Sequence, residues 1–96
     1  MKWLEMIKAQ TAAGQESRAE GELRALIEDI RKSFNTPDLL EIVLYYHASI
    51  PGCFTMQLIW DTRTPEFQGS LLGLRLTQSV KTFGLVDHSV WIENRR

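Results

Sequence analysis

From Leu39 to Asp61 the chain is dominated by β-branched, aliphatic and aromatic residues, with one interruption at Ser49-Ile50-Pro51-Gly52. Such residues fit a pleated, half-buried surface. The pattern predicts two strands, Leu39–Ala48 and Cys53–Asp61, joined by a Pro-Gly turn. With Ile50 opposite Cys53, one face would carry Glu41, Val43, Tyr45, His47, Phe54, Met56, Leu58 and Trp60. The other would carry Leu40, Ile42, Leu44, Tyr46, Thr55, Gln57 and Ile59. A bulge at Ile50 or Gly52 would flip one set, because side chains alternate with a period of two.

Before this hairpin, Trp3–Ala9 reads as a strand with Trp3, Glu5, Ile7 and Ala9 on one side and Leu4 and Met6 on the other. Large apolar groups on both sides predict a strand covered on both faces. A helix is expected over about Gln15–Phe34. Its apolar stripe is Ala19, Leu23, Leu26, Ile27, Ile30 and Phe34, and Arg31-Lys32 suit its C-terminal end. Gly21 would mark a later true start, with Ser17 as a cap. Asn35-Thr36-Pro37-Asp38 would end this helix. After the hairpin, a polar loop over Thr62–Gln68 leads to a second helix from Gly69 or Ser70 to Phe83, with Leu72, Leu76, Val80 and Phe83 as its stripe. Gly69 and Gly73 lie four apart and would let a neighbouring backbone come close. Gly84 is the expected helix stop. Leu85–Glu93 is the last strand: Val86, His88, Val90 and Ile92 share one face, and Leu85, Asp87, Ser89, Trp91 and Glu93 the other.

The order strand, helix, strand, strand, helix, strand predicts an α+β domain over residues 1–96. Its arrangement would be ferredoxin-like βαββαβ, a four-stranded antiparallel sheet with two helices on one face. Neither strand face is polar, so the side without helices would expose a large apolar area. A second copy packed sheet to sheet would cover it, giving a two-fold homodimer.

Composition narrows the function. A 96-residue chain, 44% hydrophobic and 24% charged, is an ordinary single globular domain. A net charge of −1 offers no electrostatic footprint for nucleic acid. Nothing approaches the ~18–20 apolar residues of a membrane span, and the N-terminal residues form no signal-peptide core. The single cysteine, Cys53, cannot make an internal disulfide. A cytoplasmic setting is the expectation.

Three segments carry a family resemblance. They are Ala13-Gly14-Gln15-Glu16, then Pro51-Gly52-Cys53-Phe54 leading to Leu58-Ile59-Trp60-Asp61, then Gly69-Ser70-Leu71-Leu72-Gly73 running to Phe83-Gly84-Leu85-Val86-Asp87-His88-Ser89-Val90-Trp91. Together they resemble the dimeric α/β-barrel superfamily, in particular the antibiotic biosynthesis monooxygenase-like domains. The resemblance implies two sheets forming a barrel in the dimer, with a pocket between sheet and helices in each subunit. It also implies cofactor-independent oxygenation of polycyclic aromatic molecules, or haem degradation. Members typically place an asparagine, a tryptophan and sometimes a histidine in the pocket. The asparagines here are Asn35 and Asn94, in a loop and at the tail.

The residues themselves suggest a site. His47 and His88 are the histidines, and imidazole is the side chain suited to proton transfer near neutral pH. His47 shares its expected face with Tyr45 and Trp60. His88 lies among Val86, Val90 and Ile92. Trp3, Trp60 and Trp91 would stack on a planar ligand or fill core and interface, and Gln57 and Thr55 would polarise a ligand oxygen or bond across the dimer. Glu5 and Glu41 have no partner legible in the sequence. No phosphate loop, dinucleotide fingerprint, nucleophile elbow or metal-binding helix is present, so no cofactor or metal is expected. Two readings stand: a monooxygenase-like enzyme acting on a small hydrophobic or aromatic molecule, and a non-catalytic dimeric binding module.

Overall fold

A computed structural model describes residues 1–33 and 37–94. The elements follow the expected order: β1 (Lys2–Thr11), α1 (Glu16–Ser33), β2 (Leu39–Tyr46), β3 (Cys53–Asp61), α2 (Leu71–Val80) and β4 (Gly84–Ile92). The strands form one sheet in the order β2-β3-β1-β4, with every neighbouring pair antiparallel. This is the ferredoxin-like arrangement the element order implied. The expected last helix residue Phe34, the Asn35-Thr36 part of the expected helix stop, and the tail Arg95-Arg96 lie outside the described residues.

Both helices pack on one face of the sheet. Ala19, Leu23, Ile27 and Ile30 of α1 and Leu76 and Val80 of α2 share a single core with Trp3, Ile7, Ala9, Ile42, Phe54, Met56, Leu58 and Trp60. The α1 stripe is the one its 3.6-residue period predicts. Its start is earlier than Gly21 suggested. Gly21 is exposed within the helix, and Gln15 accepts from the Ala19 amide at 2.9 Å. Helix α2 begins with Ser70 as its cap and ends at Val80, before Phe83.

Gly84 is not a helix stop. It opens β4, where a Cβ would overlap the Gln10 carbonyl oxygen of β1. The glycine is needed for strand-to-strand approach rather than for a left-handed cap.

The one large correction concerns β2. Its pairs with β3 are Ile42–Leu58, Leu44–Met56 and Tyr46–Phe54. Ile42, Leu44 and Tyr46 therefore share the helix side with Phe54, Met56, Leu58 and Trp60. Glu41, Val43, Tyr45 and His47 go to the opposite side. The turn itself was legible, since the Cys53 amide reaches Ile50 O at 3.4 Å. But the ladder resumes only at His47, whose amide donates to Cys53 O at 2.8 Å, so residues 48–52 form an odd-numbered loop. His47 Nδ1 accepts from the amides of Ser49 and Ile50, each at 3.0 Å, which satisfies backbone groups that a ladder would otherwise pair. Gly52, at φ +75°, folds the loop onto β1, where the Thr11 amide and Thr11 Oγ1 donate to its carbonyl at 2.9 and 3.0 Å.

The register puts Tyr46 beside α1. It meets Phe54 edge-on at 5.6 Å between ring centroids, and Arg24 Nε donates to its hydroxyl at 3.0 Å. The bond to Tyr46 raises the Arg24 guanidinium above its ordinary pKa, with Glu20 adding to the effect. The other face of the sheet has no helix. Tyr45, Leu85 and Trp91 are exposed there, and Leu4, Met6, Val43 and Ile59 are half-buried.

Candidate functional site

Glu5 occupies a position of β1 that faces the helices, between Trp3 and Ile7. It is completely buried, at 0% exposure. An unpaired carboxylate there would cost several kcal/mol, so its partners decide whether it is tolerated. They come from three other parts of the chain. Trp60 Nε1 of β3 donates to Glu5 Oε1 at 2.9 Å. Ser70 Oγ, the cap of α2, donates to the same oxygen. His88 Nε2 of β4 lies 2.8 Å from Oε2.

The start of α2 is shaped around this carboxylate. Ser70 Oγ accepts from the Gly73 amide at 2.9 Å, satisfying one of the free donors at a helix N-terminus. A Cβ at Gly73 would overlap Glu5 Oε2. Gly69, at φ +101°, lies over the His88 ring, and a Cβ there would overlap His88 Cε1. The two glycines were expected to admit a neighbouring backbone. They admit a carboxylate and an imidazole instead.

Next to the buried group is a pocket of about 290 Å³ between the sheet and α2. Trp3 and Trp60 form one wall, stacked with centroids 5.6 Å apart and planes 16° from parallel. Ser70, Leu71, Leu72 and Arg75 of the α2 start form another, and Asp38, Thr62 and Glu66 complete the lining. Trp3 Nε1 donates to Thr62 Oγ1 at 2.8 Å, which holds the first ring in place.

The expected site residues divide into three groups. Trp60 and His88 come together through Glu5. His47 is engaged by its own loop, on the far side of the sheet plane from Trp60's ring, so the expected cluster of Tyr45, His47 and Trp60 does not form. The cause is the register change in β2. Gln57 and Trp91 meet on the helix-free face, in a groove of about 360 Å³ lined also by Leu4, Ile59 and Ile92. Tyr45 belongs to that same face.

In the sequence Glu5 stands as a strand carboxylate without a legible partner, and Ser70 carries no candidate role. One signal was available: a carboxylate alternating with Trp3, Ile7 and Ala9 on an apolar strand face. Among the described residues no third His, Cys, Asp or Glu joins Glu5 and His88 in a cluster able to hold a metal ion.

Comparison with known proteins bears on the fold. No family model matches the chain, and no curated protein matches it in sequence. A crystal structure of an antibiotic biosynthesis monooxygenase does match in structure. It superposes with a TM-score of 0.65 over 98% of both chains, at 16% sequence identity. The chain shares the fold of that crystal structure. At this identity the likeness describes backbone architecture, and function has to be argued from the site.

Proposed function

We propose that this chain is a monooxygenase-like protein that works without a cofactor on a small hydrophobic or aromatic molecule held between sheet and α2. The carrying observation is the pairing of buried Glu5 with His88 behind a pocket walled by Trp3 and Trp60. The structural neighbour, an antibiotic biosynthesis monooxygenase, supports the same class of reaction.

The pocket chemistry suits an acidic aromatic substrate, such as a ring ketone with a neighbouring CH2. The indoles hold the ring and exclude water. By way of Ser70, the Glu5–His88 pair takes the proton of the ketone's enol form, leaving an anion shared between that oxygen and the ring carbon. The carbon of that anion reduces dioxygen and joins it as a peroxide, which takes the proton back from the pair as a hydroperoxide. The hydroperoxide then loses water, so CH2 and O2 become C=O and H2O. Positioned proton transfer of this kind contributes about a hundredfold or more to rate. Oxygen-electrode assays with hydroxylated aromatic ketones test the reading. Saturable oxygen uptake that falls at least about tenfold in His88→Ala supports it. A panel that stimulates no uptake, or uptake unchanged in that variant, overturns it.

A second reading, a non-catalytic binding module, is favoured by one specific feature. Every Glu5 oxygen already has an internal partner and the side chain has no exposure. In that case a ligand would bind the pocket without turnover, and Glu5 would serve to lock α2 onto the sheet.

The proposal includes a homodimer formed through the helix-free faces. Exposed Tyr45, Leu85 and Trp91, with Leu4, Met6, Val43 and Ile59 around them, support it. A reducing, cytoplasmic setting suits the buried free thiol of Cys53.

A further inference from the structure

We infer that Ser70, Glu5 and His88 form a proton relay that selects aromatic ligands bearing a hydroxyl group, and that Ser70 is the member that touches the ligand. The inference rests on the pocket assigned above and adds the residue that meets the ligand and the route for its proton.

The count of bonds at Ser70 carries the argument. A hydroxyl has one hydrogen to donate and two lone pairs. The hydrogen goes to Glu5 Oε1, and one lone pair accepts from the Gly73 amide. One lone pair is left, on a side chain that lines the pocket. It can only accept, so a ligand that pairs with it must bring a proton donor. The pocket, about 290 Å³, is just below the ~300–1,000 Å³ usual for ligand sites, which fits a one- or two-ring molecule.

His88 does not line the pocket. It lies on the other side of Glu5, with 15% of its side chain exposed at edge strand β4. Glu5 is the connection. Starting with a proton on Oε2, that proton passes to His88 Nε2 while Oε1 takes the Ser70 proton and Ser70 Oγ takes the ligand's. The ligand is left as its oxyanion and His88 as imidazolium. Ser70 and Glu5 each end with as many protons as they began with. The groups around the pair are Trp60 from β3, Gly69 and Ser70 before α2, Gly73 from α2, and His88 from β4. Of these, Glu5 and His88 carry ionisable side chains; Asp38, Glu66 and Arg75 are the charged side chains of the pocket lining. Trp60 Nε1 donates to the oxygen that changes protonation, so its indole N–H reports the transfer.

The test compares 2-naphthol with 2-methylnaphthalene, matched in shape, by NMR of the full chain. In the wild type, 2-naphthol should bind about tenfold tighter, the size of one hydrogen bond. It should also move both the His88 ring resonances and the Trp60 indole N–H, whereas 2-methylnaphthalene should move neither as imidazolium formation would. Ser70→Ala should bind the two probes equally. Glu5→Gln should bind 2-naphthol with His88 unchanged. Equal wild-type affinities, no 2-naphthol binding at millimolar concentration, or binding that leaves His88 unmoved each overturn the relay. The wild-type comparison decides alone if either variant fails to fold. Oxygen uptake is read separately, so loss of the oxygenase reading and loss of the relay are distinct results.

Discussion

Glu5 shows how one side chain can determine the sequence around its partners. A carboxylate buried to 0% exposure requires donors, and the chain supplies them from positions 55, 65 and 83 residues away. The glycines at 69 and 73 are then needed for space rather than for flexibility. Replacing Gly73 with Ala should improve helix propensity by about 1 kcal/mol. It also places a methyl against Glu5 Oε2, so a net loss of about 1–3 kcal/mol is expected. A lower denaturant midpoint with unchanged slope would show it. Glu5→Leu removes the acceptor shared by Trp60 and Ser70 and strands His88. It should cost about 3 kcal/mol in the same measurement, well beyond an ordinary surface substitution.

At the scale of elements, the hairpin is decided by its loop. The β2 and β3 segments and the Pro-Gly turn were all legible in the residue pattern. The register was not, because residues 48–52 are organised by the His47 side chain rather than by the ladder. His47→Ala should therefore cost about 1 kcal/mol of stability, the net worth of such hydrogen bonds, without altering ligand binding in the pocket. Deleting Ala48 should be far worse. An even-numbered loop would drive Ile42, Leu44 and Tyr46 from the core side to the open side. A fall in Tm of more than about 10 °C is expected by calorimetry. A small fall would mean that the loop does not set the register.

For the whole molecule, the asymmetry of the sheet matters most. Two helices cover one face of four strands, and the other face presents tryptophan, tyrosine and aliphatic side chains to solvent. Monomers seldom leave a contiguous apolar area of that kind open. Light scattering should find a dimer for the wild type and a monomer for Ile59→Glu combined with Trp91→Glu. A wild-type monomer at micromolar concentration would remove the dimer proposal, and the groove holding Gln57 and Trp91 would then be open surface.

What the sequence determined by itself was local. The helical period of Ala19, Leu23, Ile27 and Ile30, and the alternation in β1, β3 and β4, depend only on residues a few positions apart. They were enough to give the element order and, through chirality and connection rules, the four-stranded antiparallel fold. Tertiary structure decided the face of β2 and the composition of the candidate site. The first depended on a side chain capping its own loop. The second depended on a lone strand carboxylate meeting an indole, a hydroxyl and an imidazole from three distant segments. Hydrophobic periodicity carries no information about such convergence, because it records which side of an element is buried and not what is buried against it.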